Sequence, residues 1–216
     1  MKKVSLILTA VFITAMLVTS CGGGGGNESA SSNEVTIGNQ VWMTKNLNVD
    51  WFRNGDPVPQ ARTNEEWAIA DIYKQPAWCY YDNDPTNGVK YGKLYNWYAV
   101  SDDRGLAPVG YHIPSDAEWT NLEDYLGSFA GTEMKSKSGW LNNGNGTNSS
   151  GFNGLPGGFR FNPGTFYGIG EFGYWWSTTE YTHFAAWCRY LHYKSGNVER
   201  TYHSYVGGFP VRCLRD

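Results

Sequence analysis

Histidine, cysteine and serine are the residue types best suited to metal binding or nucleophilic catalysis, so their spacing limits what this chain can catalyse. None of the four histidines, His112, His183, His192 and His203, stands in an HExxH or comparable metal-ligand spacing. His192 and His203 fall on opposite sides of a predicted hairpin and could meet, but two exposed histidines there are more often solvated. There is no Gly-x-Ser-x-Gly motif, and the glycine-rich residues 155–159 lack the Lys of a phosphate loop. The sequence therefore predicts no catalytic residue, no metal site and no cofactor.

Hard oxygen ligands, the type that Ca²⁺ binds, are concentrated in residues 82–88, with the sequence DNDPTNG. The spacing departs from an EF-hand loop, because Thr86 and Asn87 stand where Asp or Asn and then Gly are required. A turn accounts for this segment without a metal, and we favour the turn.

Aromatic side chains are the remaining candidates for ligand contact. The chain has ten tryptophans, more than one core of this size needs, so some are expected to face solvent. Trp140, Trp175 and Trp176 are the candidate ligand-binding residues, as parts of an exposed sugar-stacking platform to which Trp51 and Trp78 could also belong. In the alternative interpretation most aromatics are core, which is our expectation for the tryptophans at four other positions: Trp42, Trp97, Trp119 and Trp187.

Strands that would position these residues are predicted from local patterns. A hairpin is expected at residues 35–43, around a Gly-Asn turn. Residues 186–193 alternate with the period of two that is typical of a strand, and a turn at 194–197 leads to a returning strand at 198–202. The last strand is predicted at 209–214, next to this terminal hairpin.

Two helices are predicted from their start signals. Thr63 and Glu66 fit a capping box, and Ser115 and Glu118 form a second one before an apolar face that Gly127 can end. Each box satisfies backbone N–H groups that the first helical turn leaves without partners.

Composition limits the class of protein. A length of 216 residues suits one folded domain, and the 27 glycines are typical of a loop-rich β-containing protein. A long loop is expected at residues 142–158, held down by Phe152 and Leu155. The net charge of −3, without a run of Lys and Arg, excludes nucleic acid as a partner.

The N-terminus predicts a membrane anchor. Residues 1–20 combine a basic head with a short apolar run, as in a signal peptide, and they end in LVTS before Cys21, which resembles a bacterial lipobox. We expect cleavage before Cys21 and lipidation of that residue, followed by a flexible Gly/Ser tether at 21–34 and the domain at 35–216. The expected location is the bacterial cell envelope, at the outer membrane.

Six segments in fixed order carry a family resemblance. They are residues 42–48 (WMTKNLN), 91–100 (YGKLYNWYAV), 110–119 (GYHIPSDAEW), 155–160 (LPGGFR), 175–180 (WWSTTE) and 208–213 (GFPVRC). Together they resemble the Fibrobacter succinogenes major paralogous domain, a family of bacterial surface and secreted proteins, over residues 35–216. The resemblance implies an α+β, C-type lectin-like fold, with two helices flanking small antiparallel sheets and long irregular loops.

The same resemblance bears on the cysteines. Family members usually carry a Cys where this chain has Ala107, and in related folds that Cys bonds to the last strand, where Cys213 stands. Because Cys188 is an added residue in a strand expected near the last one, we predict a disulfide between Cys188 and Cys213. The alternatives are a disulfide between Cys79 and Cys213, and three buried thiols.

Two classes of function follow from these expectations. The first is a lipid-anchored, non-catalytic binding or adhesion module of the cell envelope, which recognises a glycan or a surface protein. The alternative is an enzyme of sulfatase-modifying or hydrolytic type. Sulfatase-modifying relatives act through a pair of cysteines late in the chain, and here Cys188 stands alone in that region with Cys213 a strand away, which favours the binding module.

Overall fold

The computed structural model describes residues 33–161 and 164–216. The predicted signal peptide, Cys21 and nearly all of the predicted tether lie outside the described residues. The described residues belong to one compact unit with a mixed α+β fold. None of their helices is long and apolar enough to cross a membrane.

Within the described residues there are five α-helices and eleven β-strands. The helices are α1 Asn64–Ile72, α2 Pro85–Tyr91, α3 Trp97–Val100, α4 Asp116–Leu126 and α5 Ala130–Met134. The strands are β1 Glu34–Ile37, β2 Gln40–Met43, β3 Trp78–Cys79, β4 Leu94–Tyr95, β5 Tyr111–His112, β6 Gly157–Arg160, β7 Phe166–Ile169, β8 Phe172–Thr182, β9 Ala185–His192, β10 Glu199–Ser204 and β11 Leu214–Arg215.

The two longest helices begin where the capping signals predict. At α4 the Ser115 hydroxyl accepts from the Glu118 N–H and the Glu118 carboxylate accepts from the Ser115 N–H, so this capping box is complete. Gly127 follows α4 with a φ of +73°, a conformation that glycine adopts without steric cost. At α1 the Thr63 hydroxyl accepts from the Glu66 N–H, whereas the Glu66 carboxylate accepts from the N–H of Arg62 instead of that of Thr63.

The strands form one four-stranded, one five-stranded and one two-stranded sheet. The five-stranded sheet has the order β10-β9-β8-β6-β7. The pair β9–β10 is the predicted terminal hairpin, and β8 extends it by pairing with β9. The pairs in these sheets are antiparallel, as expected, except that β6 pairs with β8 in parallel. His203 pairs with Ala186 and His192 pairs with Phe172, so the two histidines are not cross-strand neighbours.

The last strand lies elsewhere than predicted. Strand β11 is only two residues long, and Leu214 pairs with Trp42 of β2 and with His112 of β5 in the four-stranded sheet β1-β2-β11-β5. It therefore does not adjoin the terminal hairpin, and the chain from Phe209 onward joins the two larger sheets.

The predicted disulfide between Cys188 and Cys213 is not formed, and neither is the alternative one with Cys79. All three cysteines are buried free thiols. Cys188 lies in the middle of β9, where Trp176 and Thr201 occupy its two cross-strand positions. Cys213 belongs to the chain that enters the other sheet, so the two cysteines are not opposed on neighbouring strands. Burial raises the pKa of Cys213 to about 12, which keeps this thiol protonated and unreactive.

The core between α4 and the sheets is built from aromatic rings. Trp42 and Trp119 pack with ring centroids 4.8 Å apart, and Phe152 meets Trp175 edge to face at 5.4 Å. All four side chains are fully buried, and each contributes about 1.5–3 kcal/mol on burial. Phe152 thus holds the long loop against the core, as the sequence predicts.

Candidate functional site

The three tryptophans predicted as an exposed platform are core residues, so that prediction is wrong. Trp140 is 5% exposed and Trp175 and Trp176 are 0% exposed. The indole N–H of Trp175 donates to Asn46 and that of Trp176 to the carbonyl of Tyr95, both at 2.9 Å. No ring face of these two residues is left for a sugar.

The physical reason is the position of β8. Successive residues of a strand point to opposite faces, so Trp175 and Trp176 enter different layers of the molecule. Trp175 joins the core cluster that contains Trp119, and Trp176 joins the one that contains Phe209. A strand that is covered on both faces offers no exposed platform.

An exposed aromatic cluster does exist, at the far end of the same sheet. It consists of Tyr181 on β8, Trp187 on β9 and Tyr202 on β10, and we call it the tyrosine–tryptophan cluster. Trp187 and Tyr202 are direct cross-strand partners, so their side chains share one face. Tyr181 stacks on Tyr202 with centroids 4.0 Å apart and meets Trp187 edge to face at 4.7 Å. Tyr181 is 43% and Tyr202 50% exposed, which presents ring surface to solvent.

A charged pair borders the cluster. The guanidinium of Arg200 lies over the ring of Trp187, 3.3 Å from its centroid, in a cation–π contact. The same guanidinium donates twice to the carboxylate of Asp116, at 3.0 Å from Nε and 2.8 Å from Nη2. Burial raises the pKa of Asp116, but the bonds from Arg200 and Arg189 outweigh it, so the pKa is lowered and the carboxylate stays charged. The cluster thus combines apolar ring faces with hydrogen-bonding groups held in place.

Sequence reasoning placed Trp187 in the core and missed the cluster. The useful signal was the alternation along β10, which puts Arg200 and Tyr202 on one face, opposite Thr201 and His203. Finding the cluster also requires the register that pairs Tyr202 with Trp187, which the sequence patterns did not predict.

A family match covers this whole region. The model of the Fibrobacter succinogenes major domain matches residues 35–215 of the chain. The chain belongs to this family. The Fibrobacter succinogenes major domain therefore includes both larger sheets and the tyrosine–tryptophan cluster. No curated protein and no solved structure matches the chain.

A second row of aromatic rings lies on the opposite face of the five-stranded sheet of this Fibrobacter succinogenes major domain. Tyr174 stacks on Tyr190 at 5.0 Å and Phe172 on His192 at 4.6 Å. These rings are buried or half-buried and pack against the core, which leaves them less ring surface than the tyrosine–tryptophan cluster. The row is therefore the weaker candidate for ligand contact.

The acidic segment at 82–88 serves as a helix start in this domain. The Asp84 carboxylate caps α2 by accepting from the Thr86 N–H at 2.9 Å, and Pro85 occupies the first helical position. Across the residues that the structure describes, no group of three or more His, Cys, Asp and Glu side chains is placed to hold a metal ion.

His112 joins two carboxylates near the C-terminus of the domain. Its Nε2 lies 2.9 Å from Glu118 and its Nδ1 lies 2.8 Å from Asp216. Burial lowers the pKa of His112, but the two carboxylates outweigh that effect and raise it. The protonated ring can thus connect the start of α4 to the last residue of the chain.

Proposed function

We propose that this chain is a lipid-anchored, non-catalytic binding or adhesion module of the bacterial outer membrane, and that it recognises a glycan through the tyrosine–tryptophan cluster. The observation that carries the proposal is the exposure of Tyr181 and Tyr202 beside the half-buried Trp187. Exposed aromatic groups that form a patch mark interaction sites more often than scattered ones do. The apolar face of a sugar ring packs on such rings, while Arg200 and Asp116 supply hydrogen bonds for its hydroxyl groups.

A surface protein is the alternative ligand of the same cluster. Tyr, Trp and Arg are also the residues most enriched among the energetically dominant positions of protein interfaces. We do not propose the enzymatic alternative of sulfatase-modifying type, because Cys79, Cys188 and Cys213 are all buried free thiols.

A glycan array tests the proposed function. We expect the compact unit, made without the residues that precede position 32, to bind a defined set of glycans. The double variant Trp187→Ala/Tyr202→Ala removes two of the three rings, so we expect at least tenfold weaker binding because the apolar faces on which the sugar packs are lost.

The matched control for this experiment is Trp51→Ala. Trp51 is 57% exposed but lies outside the cluster, so its removal should leave binding within about twofold. A blank array, or equal binding by the double variant, would contradict glycan recognition through this cluster. Binding of a purified envelope protein in place of glycans, with the same loss in the double variant, would assign the cluster to a protein ligand.

We further propose that the α+β fold is C-type lectin-like. Support comes from the family resemblance and from the two long helices α1 and α4 that accompany the small sheets. Superposition of an experimental structure on a C-type lectin-like domain tests this, and a different strand order in the sheet that holds the chain terminus would contradict it.

The proposed anchor depends on Cys21. We predict that Cys21→Ser moves the protein from the membrane fraction to the soluble fraction, because several acyl chains together hold a protein stably on a membrane. Fractionation of cells followed by immunoblotting measures the change. Ser29→Ala, a substitution in the predicted tether outside the lipobox, serves as the control for correct export, and unchanged membrane retention of Cys21→Ser would refute the anchor.

A further inference from the structure

A polar cavity opens beside residues 42–48, the first segment of the family resemblance. Its lining is polar, unlike that of the aromatic surfaces described above. Its volume is about 270 Å³. It lies between the chain after β2, the end of α2 and the loop that leads to β6. Its polar lining consists of six side chains: Thr44, Lys45, Asn46, Asn48, Lys90 and Asn153. We call it the cationic pocket.

The lining of the cationic pocket carries positive charge without compensation. Lys45 and Lys90 are both exposed, and neither forms an ion pair with a carboxylate of the described residues. No Asp or Glu lines the pocket. The remaining polar groups are amides and a hydroxyl, which can donate hydrogen bonds to an anion. In a chain with a net charge of −3, such a concentration of positive charge is local to this surface.

A buried guanidinium behind the wall adds to this charge. Arg212 is 0% exposed, and its hydrogen bonds go to neutral oxygens only: the side chain of Asn46 and the carbonyls of Met43 and Phe152. Burial lowers the pKa of Arg212 to about 9, a value that leaves the group charged at neutral pH. Because Asn46 contacts Arg212 and also lines the pocket, the uncompensated charge lies directly behind the pocket wall.

The pocket wall is held rigidly. The Asn46 amide donates to the carbonyl of Tyr91 at 2.8 Å, and its oxygen accepts from Trp175 at 2.9 Å and from Arg212 at 2.8 Å. A preorganised wall lowers the entropic cost of binding. The Lys90 ammonium also lies over the ring of Tyr91, 4.7 Å from its centroid, a contact that leaves its charge without a carboxylate partner. Concave shape, two lysines without carboxylate partners and a third charge behind the wall together distinguish this pocket from an ordinary solvated pair of surface lysines.

We propose that the cationic pocket binds the anionic group of a small acidic ligand, with Lys45 and Lys90 as the charged contacts. A carboxylate of an acidic sugar and an inorganic oxyanion share this chemistry, and the volume admits a single sugar ring. The inference does not rest on the tyrosine–tryptophan cluster, which is a separate surface with a different lining.

The indole N–H of Trp175 offers a direct probe, because it bonds to Asn46 in the wall. We expect titration of the compact unit with glucuronate to shift this indole signal in a two-dimensional NMR spectrum, and titration with neutral glucose to leave it in place. Sodium sulfate and sodium phosphate form a second arm. Saturation by these ions at the same concentration as glucuronate would show that the anion alone is recognised, and weaker saturation would show that the sugar ring contributes; both outcomes support the pocket.

The variant Lys45→Gln/Lys90→Gln should weaken glucuronate or oxyanion binding at least tenfold and leave the thermal midpoint of unfolding nearly unchanged, since both lysines are exposed. The control variant Lys74→Gln/Lys194→Gln removes the same net charge from two exposed lysines outside the pocket, and should bind within twofold of the wild type. The absence of any saturable shift, or equal weakening by both double variants, would overturn the proposal. The glycan array for the cluster is independent of either result.

Discussion

Replacing Asn46 with alanine is expected to lower the free energy of unfolding by about 3–5 kcal/mol. One side-chain oxygen, Asn46 Oδ1, accepts from Nε of Arg212 at 3.1 Å, from Nη2 of Arg212 at 2.8 Å and from the indole of Trp175 at 2.9 Å. Both donor residues are 0% exposed, so water cannot replace the lost acceptor without opening the core. Each buried donor left without a partner costs about 1–3 kcal/mol, and one of these donors is charged.

Urea unfolding of the compact unit measures this loss. Asn48→Ala is the matched control, because Asn48 is exposed, lines the same pocket and donates to none of these groups, and it should change stability by less than about 0.5 kcal/mol. A loss below about 1 kcal/mol for Asn46→Ala would mean that the Arg212 guanidinium finds another acceptor in the native state.

Local chemistry made part of this fold predictable. A capping box needs only Ser115 and Glu118 at the right spacing, and the alternation within β9 and within β10 is visible in each strand alone. The neighbours of β11 could not be predicted in this way, because Leu214 pairs with Trp42 and His112, which are distant in sequence. Long-range pairing depends on how the whole chain packs, and no local pattern records it.

The errors about the candidate site have the same origin. The sequence predicts Trp175 and Trp176 at the surface, because ten tryptophans exceed the need of one core of this size. The structure supplies two covered faces, one under α4 and one under the segment that contains Phe209. The disulfide prediction failed because it assigned Cys213 to the sheet of Cys188, and family resemblance cannot correct an error of strand order.

The burial of three arginines is the structural feature that the sequence patterns indicate least. Arg160, Arg189 and Arg212 are each 0% exposed, although their residue type is usually found at the surface. Each has a different partner set: Arg212 contacts neutral oxygens, Arg160 lies over the ring of Trp67, and Arg189 bonds to carboxylates. Such sets are defined only once the chain has folded.

Arg189 should be the second residue whose replacement has a large effect. Arg189 lies on β9 and donates to Asp116 at 2.6 Å and to Glu123, both on α4. These ion pairs connect the helix to the strand. We expect Arg189→Met to lower the free energy of unfolding at pH 7 by about 3 kcal/mol, because removal of one partner leaves a largely buried charge without compensation. Asp116 keeps Arg200 as a partner, so the uncompensated group is Glu123, whose side chain is 23% exposed.

The pH dependence identifies Glu123 as the cause. Burial raises the pKa of Glu123 in the folded protein, and Arg189 opposes that rise. Without Arg189 the folded pKa should rise further above the unfolded value, so the folded state binds the proton more tightly. The stability of Arg189→Met should therefore recover as the pH falls from 7 through the raised pKa, and that recovery should be absent from Arg189→Met/Glu123→Met.

Two comparisons complete the test by urea unfolding. Arg200→Met removes an arginine whose side chain is 44% exposed, and it should cost less than about 1 kcal/mol. The double variant Arg189→Met/Glu123→Met should be more stable at pH 7 than Arg189→Met, since two apolar side chains leave no carboxylate without a partner. Equal losses in the single and double variants, with no pH dependence, would show that the lost packing of the Arg189 guanidinium plane determines the cost instead of the uncompensated charge of Glu123, because methionine reproduces the stem but not that plane.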